Sequence, residues 1–162
     1  MKLRLILTKV CNRRCAGCCN KDWDLDSLPV CDSYEGFSEF LLTGGEPLLF
    51  PEIVFKTVKA IRKQSQSPIY LYTAYSKNIL LFNAMLQLVD GITLTLHSKS
   101  DIYHFSLLNQ LLENCCDGKN MRLNVFDGID LTGINLSRWK VKDHITWIKD
   151  CPLPEGEVFM RI

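Results

Sequence analysis

The chain has 162 residues, and 47% of them are hydrophobic, which is enough to build a hydrophobic core. The 19 basic residues nearly balance the 18 acidic ones, giving a formal net charge of +1. This balance argues against nucleic acid or a membrane as a partner, because neither would find a strongly basic surface. The apolar run from Leu3 to Leu7 is broken by Arg4 and is too short for a secretion signal or a membrane span. We therefore expect one domain, residues 1–162, in the cytoplasm.

Short apolar runs alternate with segments of helical period, which is typical of βα units around a parallel sheet. The predicted strands are Leu3 to Thr8, Glu39 to Thr43, Ile69 to Thr73, Ile92 to Leu96 and Arg122 to Phe126. Three helices are predicted. The first starts at Pro51 and places Val54, Val58 and Ile61 on one face, and the second runs from Asn78 to Val89. The third runs from Asp101 to Cys116, with Phe105, Leu108, Leu112 and Cys115 on one stripe.

Two stretches give weaker signals. Between Cys19 and Gly36, Pro29 and several Asp and Ser residues predict a loop or a single short turn. After Gly128 the pattern allows a turn-rich stretch, a helix and two further strands. These are, in order, Asp130 to Asn135, Leu136 to Val141, Ile145 to Ile148 and Val158 to Ile162.

A closed barrel of eight βα units usually needs about 250 residues, so this length permits only five or six units. The predicted fold is therefore α/β, an open partial (βα)5-6 barrel. In parallel sheets the binding site lies beyond the carboxyl ends of the strands. Two sequence motifs fall there, after the first and second strands.

The first motif is the array Cys11, Cys15 and Cys18, spaced C-x3-C-x2-C. Three thiolates on one tight loop can hold three irons of a [4Fe-4S] cluster and leave the fourth iron open for a ligand. Zinc is an alternative, since three Cys and one His also form a closed tetrahedral site, although the three histidines are scattered. Adjacent cysteines seldom serve one metal, so Cys19 is not counted as a ligand. In a reducing compartment, clustered thiols favour metal binding over disulfides.

The second motif is Gly44-Gly45-Glu46-Pro47, directly after the second strand. The two glycines permit positive φ and a close approach of a ligand to the backbone, and Pro47 defines the exit from the turn. Glu46 then offers a carboxylate suited to a protonated amine.

Together, the cysteine array and the Gly-Gly-Glu turn resemble the radical S-adenosylmethionine (SAM) superfamily. The resemblance implies that Cys11, Cys15 and Cys18 hold a [4Fe-4S] cluster, and that Gly44, Gly45 and Glu46 contact SAM bound at the open iron. It also implies reductive cleavage of SAM to methionine and a 5'-deoxyadenosyl radical that abstracts hydrogen from a substrate.

A narrower resemblance runs from Cys11 to Trp23 and includes Gly17 and Asn20. This segment is similar to the activating proteins of anaerobic ribonucleotide reductases, as is Tyr72-Thr73-Ala74-Tyr75 at the end of the third strand. It covers about the first 95 residues, and Cys19, Ala74 and His97 depart from that pattern. The implied partners are a one-electron donor such as a flavodoxin or ferredoxin and a glycyl radical enzyme as protein substrate. A small molecule or peptide is the other substrate class, and it would need the C-terminal segment to close the site. A noncatalytic Fe-S module for electron transfer or sensing is the alternative from another class.

Other residues receive weaker assignments. Thr73, His97 and Asn124 lie at or near the carboxyl ends of predicted strands, where they either contact SAM or are satisfied polar strand ends. Trp23 covers the cluster or caps the core, whereas Trp139 and Trp147 are expected in the core. Four other cysteines have irregular spacing, so packing or idle thiols are favoured over a second cluster. They are Cys31, Cys115, Cys116 and Cys151.

Overall fold

A single parallel sheet organises the chain. The computed structural model describes residues 1–113 and 118–162. Its strands are β1 (Lys2–Ile6), β2 (Glu39–Thr43), β3 (Ile69–Thr73), β4 (Gly91–Leu96), β5 (Asn120–Phe126), β6 (Lys140–Ile145) and β7 (Glu157–Arg161). They pair in parallel in the order β6-β5-β4-β3-β2-β1-β7. Because β6 and β7 are the two edges, the sheet is open, which confirms the expected α/β class.

Three helices connect the central strands, and all three were predicted. They are α1 (Pro51–Gln64), α2 (Ile79–Leu88) and α3 (Asp101–Leu112). Pro51 stands in the first turn of α1, where its missing N–H needs no partner. The Asn78 side chain caps α2 by accepting a hydrogen bond from the Leu81 amide at 3.0 Å. The predicted end of the third helix, Cys115 and Cys116, lies outside the described residues.

The core lies between the helices and one face of the sheet. Leu5, Leu42 and Leu71 lie on this face of the sheet, and Val54 and Phe105 face it from the helices. All five side chains are fully buried. Since side chains alternate along a strand, the residues between these leucines occupy the opposite face. That second face carries aromatic and polar side chains from β1, β3, β4 and β5, namely Arg4, Tyr72, Thr95 and Asn124.

The C-terminal third differs from the sequence prediction. Leu136 to Val141 was expected to be helical, but β6 begins at Lys140 and pairs with β5. The strand is exposed along most of its length and carries no apolar alternation, so only its pairing identifies it. The strand predicted from Ile145 to Ile148 is also wrong, because β6 ends at Ile145. The last predicted strand is confirmed as β7, which pairs in parallel with β1.

The alternation of strand and helix is less complete than five or six βα units. Among the described residues, only the connections from β2 to β5 contain α-helices. The connection between β1 and β2 holds a 3-10 turn at Cys19–Lys21, in agreement with the short turn expected there. Within the described ranges, no helix combines the length and hydropathy needed to cross a lipid bilayer.

Candidate active site at the carboxyl ends of the strands

A cavity of about 460 Å³ opens at the carboxyl ends of the strands and extends along the polar face of the sheet. This volume is within the usual range of ligand pockets, about 300 to 1,000 Å³. All nine residues singled out from the sequence as cluster or cofactor ligands line it: Cys11, Cys15, Cys18, Gly44, Gly45, Glu46, Thr73, His97 and Asn124. The parallel sheet brings them together because their strands end at one edge.

The three cysteines lie in the loop after β1 as unpaired thiols. Cys11 is exposed, and Cys15 and Cys18 are half-buried. Burial raises the pKa of the Cys15 thiol above its ordinary value, and the neighbouring Cys18 and Cys11 thiols raise it further, against an opposing effect of Arg13. The three sulfur atoms therefore lie close enough for their charges to interact.

They are not drawn around a common point, however. In the two described segments, no three Cys, His, Asp or Glu side chains are arranged so that they could hold a metal ion. The thiol chemistry suits iron or zinc, but a metal site at Cys11, Cys15 and Cys18 requires the loop to adjust.

The Gly-Gly turn holds the cysteine loop in place. The Gly45 amide donates to the Thr8 carbonyl at 2.6 Å, and the Glu46 amide donates to the Val10 carbonyl at 2.8 Å. A Cβ atom on Gly44 would lie 2.4 Å from the Thr8 carbonyl oxygen, and one on Gly45 would lie 2.0 Å from that of Val10. Gly44 also has a φ of +133°. The glycines were expected to admit a ligand, and here they admit the chain segment that leads into Cys11.

The Glu46 carboxylate is buried and already hydrogen-bonded, with a relative exposure of 1%. Its Oε1 accepts hydrogen bonds from the Thr73 hydroxyl at 2.6 Å and the Leu48 amide at 3.0 Å, and its Oε2 accepts one from the Ala74 amide at 2.9 Å. Burial raises the pKa of Glu46 above its usual value, although the three donors oppose that shift. Oε2 retains a lone pair for one further donor, such as an amine.

Sequence reasoning missed an ion pair that anchors the cysteine loop from the other side. Arg13 donates from Nη2 and Nη1 to the two carboxylate oxygens of Asp101 at 2.6 and 3.0 Å, and from Nη2 to the Ala74 carbonyl at 2.9 Å. The Asp101 Oδ2 also accepts from the amides of His97 and Ser98. Burial alone would raise the pKa of Asp101, but these bonds outweigh it and lower the pKa. The only sequence signals were an arginine between two array cysteines and an acidic residue in the first turn of α3.

His97 presents a neutral imidazole to the cavity. Burial, with a smaller contribution from the nearby Arg13, lowers its pKa to about 4, while Asp101 acts in the opposite direction. The ring stacks on Phe126 at 4.9 Å and on Trp147 at 5.4 Å between centroids. Its Nδ1 atom is buried and has no hydrogen-bond partner among the residues described. An unpartnered buried nitrogen in a cavity wall is suited to a ligand.

The other two strand-end residues differ in their contacts. Thr73 bonds to Glu46, as above, and its Oγ1 also accepts from the Tyr75 amide at 2.9 Å. It is therefore a satisfied strand end that positions Glu46. The Asn124 amide makes one long contact of 3.5 Å with Thr95 Oγ1, so most of its hydrogen-bonding capacity remains open to the cavity.

The connection between β6 and β7 covers one side of the cavity through a segment that we call the strap, residues 147–154. Lining side chains from the strap include Trp147, Ile148 and Leu153. A disulfide bond joins Cys151 in the strap to Cys19, next to the array. This pairing was not predicted, because Cys151 was read as an idle or packing thiol.

Two tryptophans strengthen the strap's attachment. Trp23 Nε1 donates to the Cys151 carbonyl at 3.0 Å, and its ring meets Phe159 edge-on at 4.9 Å. Trp23 therefore both lines the cavity and packs on a small hydrophobic cluster. Trp147 was expected in the core, but it is 39% exposed and contacts Gly17, whereas Trp139 is buried as expected.

Cys31 is unpaired and half-buried, and its thiol donates to the Ser33 carbonyl at 3.2 Å.

A scan against protein-family models finds no match for this chain, and a search of curated proteins finds no significant match.

Proposed function

We propose that this protein is a small radical SAM enzyme whose active site is the cavity at the carboxyl ends of the strands. One observation carries the proposal. The three cysteines, the Gly-Gly-Glu turn and the three strand-end residues come from five separate stretches of sequence, and all of them line the same cavity. Convergence of this kind in a parallel sheet marks a functional site.

The donor set fits the two implied cofactors. Cys11, Cys15 and Cys18 would hold a [4Fe-4S] cluster, since they are free thiols on one loop, and Cys19 is excluded by its disulfide. Glu46 Oε2 and His97 Nδ1 retain capacity for polar groups of SAM. When bound, the cluster and SAM supply reductive cleavage to methionine and a 5'-deoxyadenosyl radical that abstracts hydrogen from the substrate.

The protein's own residues have positioning and shielding roles. Gly44 and Gly45 hold the cysteine loop by its backbone, and Arg13 ties the same loop to Asp101. Thr73 orients the Glu46 carboxylate at 2.6 Å. The strap covers one side of the cavity and reduces access of water and oxygen to it.

The strap also bears on the substrate. A protein substrate such as a glycyl radical enzyme needs an open mouth, whereas a small molecule or peptide needs the C-terminal segment to close the site. Trp147, Ile148 and Cys151 of that segment all line the cavity. This arrangement supports a small molecule or peptide, with a flavodoxin-like or ferredoxin-like protein as the one-electron donor.

Anaerobic reconstitution with iron and sulfide tests the proposal. After reduction, the protein is expected to cleave SAM to 5'-deoxyadenosine, measured by chromatography. Cys15→Ala should abolish cleavage because it removes one of three cluster thiolates. Cys31→Ala is the matched control, since this thiol lies outside the cavity and should be dispensable.

Two results would contradict the proposal. Cleavage that persists in Cys15→Ala would show that the ligand assignment is wrong. A cluster that forms but neither cleaves SAM nor changes its spectrum on addition of SAM would indicate a noncatalytic Fe-S module instead.

A further inference from the structure

Arg4 lies inside the cavity, on the polar face of the sheet, two residues before the end of β1. A charged residue in the middle of an apolar strand is costly unless it is paired or has a function. Its Nε donates to Glu157 Oε2 on the neighbouring strand β7 at 2.7 Å. Its guanidinium carbon lies 5.2 Å from the centre of the Tyr72 ring. One edge and one face of the guanidinium are therefore held by the protein.

The other edge of the guanidinium is open. Neither Nη nitrogen of Arg4 has a hydrogen-bond partner among the described residues. Neither of them is among the atoms that are fully buried without a partner, so both remain accessible. The side chain keeps 21% of its exposure. If Arg4 served only to link β1 to β7, its bond from Nε to Glu157 would be enough, and the two free Nη groups would have no role.

The second arginine of the cavity wall provides a contrast. Arg13 uses both Nη1 and Nη2 on Asp101 and the Ala74 carbonyl. Arg4 is thus the wall arginine whose Nη pair remains available to a ligand. Two parallel N–H groups match the two oxygens of a carboxylate or phosphate.

We propose that Arg4 is the anchor for the substrate's oxyanion, a carboxylate or a phosphate, at the inner end of the cavity. This inference rests on the proposed function, because it names the substrate class of the same site. Glu157 orients the guanidinium without occupying the Nη pair, and the Tyr72 ring lies against it. An internal glycine of a protein partner offers no such group, so the anchor favours a small anionic molecule or a peptide carboxyl terminus.

Anion binding to the full-length protein tests the proposal. Inorganic phosphate and succinate serve as probes, titrated by calorimetry at low ionic strength, where charge pairing is least screened. Arg4→Gln is expected to weaken the binding of the preferred probe at least tenfold. Preference for phosphate or for succinate identifies which oxyanion the substrate carries.

Arg122→Gln is the matched control. Arg122 also lies over a tyrosine of β3, with its guanidinium carbon 4.1 Å from the Tyr70 ring centre, but it does not line the cavity. This variant should bind the probes as the wild type does. If Arg4→Gln does not fold, Arg4→Lys takes its place, because it keeps the charge beside Glu157 but lacks the paired N–H groups.

Equal affinity in the wild type and the Arg4 variant would overturn the proposal, and so would the absence of probe binding in the wild type. A third arm repeats the titration on reconstituted protein saturated with SAM. Loss of probe binding there would assign Arg4 to the SAM carboxylate and would also overturn it.

The two proposals fail separately. If the wild type cleaves SAM while probe binding does not depend on Arg4, the oxyanion anchor is wrong and the proposed function stands. If binding depends on Arg4 but SAM is never cleaved, the anchor stands and the radical SAM function is wrong.

Discussion

At the scale of single residues, the cavity wall depends on groups whose partners lie far away in the sequence. Glu46 shows this most clearly, because the sequence predicted a carboxylate presented to a ligand. In the structure, the carboxylate accepts three hydrogen bonds from Thr73, Leu48 and Ala74. Its main role is to hold the Gly-Gly-Glu turn against the end of β3, and only Oε2 can accept another donor.

His97 carries a prediction about pH at the same scale. Its pKa is about 4 in the folded protein and about 6.5 when unfolded. Between pH 6.5 and pH 4 the imidazole is therefore protonated in the unfolded state but neutral in the folded state. Because the unfolded state binds this extra proton, the free energy of unfolding falls as the pH is lowered through this window. Since the ring is partly exposed, we expect its share of the loss to be about 1 to 2 kcal/mol.

The measurement is urea unfolding of wild type and His97→Gln at several pH values from 6.5 to 4. The variant should be less stable at pH 6.5, because it loses the stack on Phe126 and Trp147, but it should lose less stability on acidification. Identical pH slopes in wild type and His97→Gln would contradict the assignment.

At the scale of elements, the strap and the cysteine loop are fitted to each other. Gly17 belonged to a sequence motif without an evident structural reason. The structure provides one, because a Cβ atom at this position would lie 2.6 Å from Cβ and Cγ of Trp147. Gly17 therefore allows Trp147 to reach His97 and cover the cavity.

A methyl group at Gly17 should displace the strap. We expect Gly17→Ala to lower the free energy of unfolding by about 1 to 3 kcal/mol, the usual cost of overpacking, and to change the fluorescence of Trp147. In a Trp147→Gly background the same change should be nearly neutral, because both the ring and the Cβ atom that the added methyl group would meet are gone. A double-mutant cycle measures this coupling, and additive effects would show that the two residues do not interact.

At the scale of the whole molecule, the C-terminal segment packs against the N-terminal one. The last strand, β7, pairs with β1, and the Cys19–Cys151 disulfide joins the connection after β1 to the connection before β7. These two links bring the C-terminal segment to the same cavity that the N-terminal loop forms. At the other edge, β6 carries exposed Lys140 and Lys142, which discourage pairing with another chain.

The disulfide makes a testable contribution at this scale. It spans 132 residues, so breaking it should increase the entropy of the unfolded chain substantially. We expect Cys151→Ser to lower the free energy of unfolding by about 2 to 4 kcal/mol and to make the protein insensitive to a dithiol reductant. Cys31→Ser is the control and should respond to the reductant as the wild type does. A wild type whose unfolding is unchanged by the reductant would show that this bond does not stabilise the protein.

Much of the architecture could be predicted because it depends on local pattern. The strands Glu39–Thr43 and Ile69–Thr73 have the predicted bounds, since each is a short apolar run between turn residues. β6 could not be predicted, because its residues are charged and exposed and it is a strand only through pairing with β5. The position of Trp147 could not be predicted either, because an aromatic residue near an apolar run usually belongs to the core.

The sequence by itself determined which functional groups are present: three thiols on one loop, a Gly-Gly-Glu turn after a strand, and polar residues at strand ends. These signals are local, so they are visible before folding. Only the tertiary structure decided which groups remain free for ligands. It joined Arg13 to Asp101 and Cys19 to Cys151 while leaving the Nη pair of Arg4 open. Such pairings join residues that are distant in sequence, and only the packing of the sheet brings them into contact.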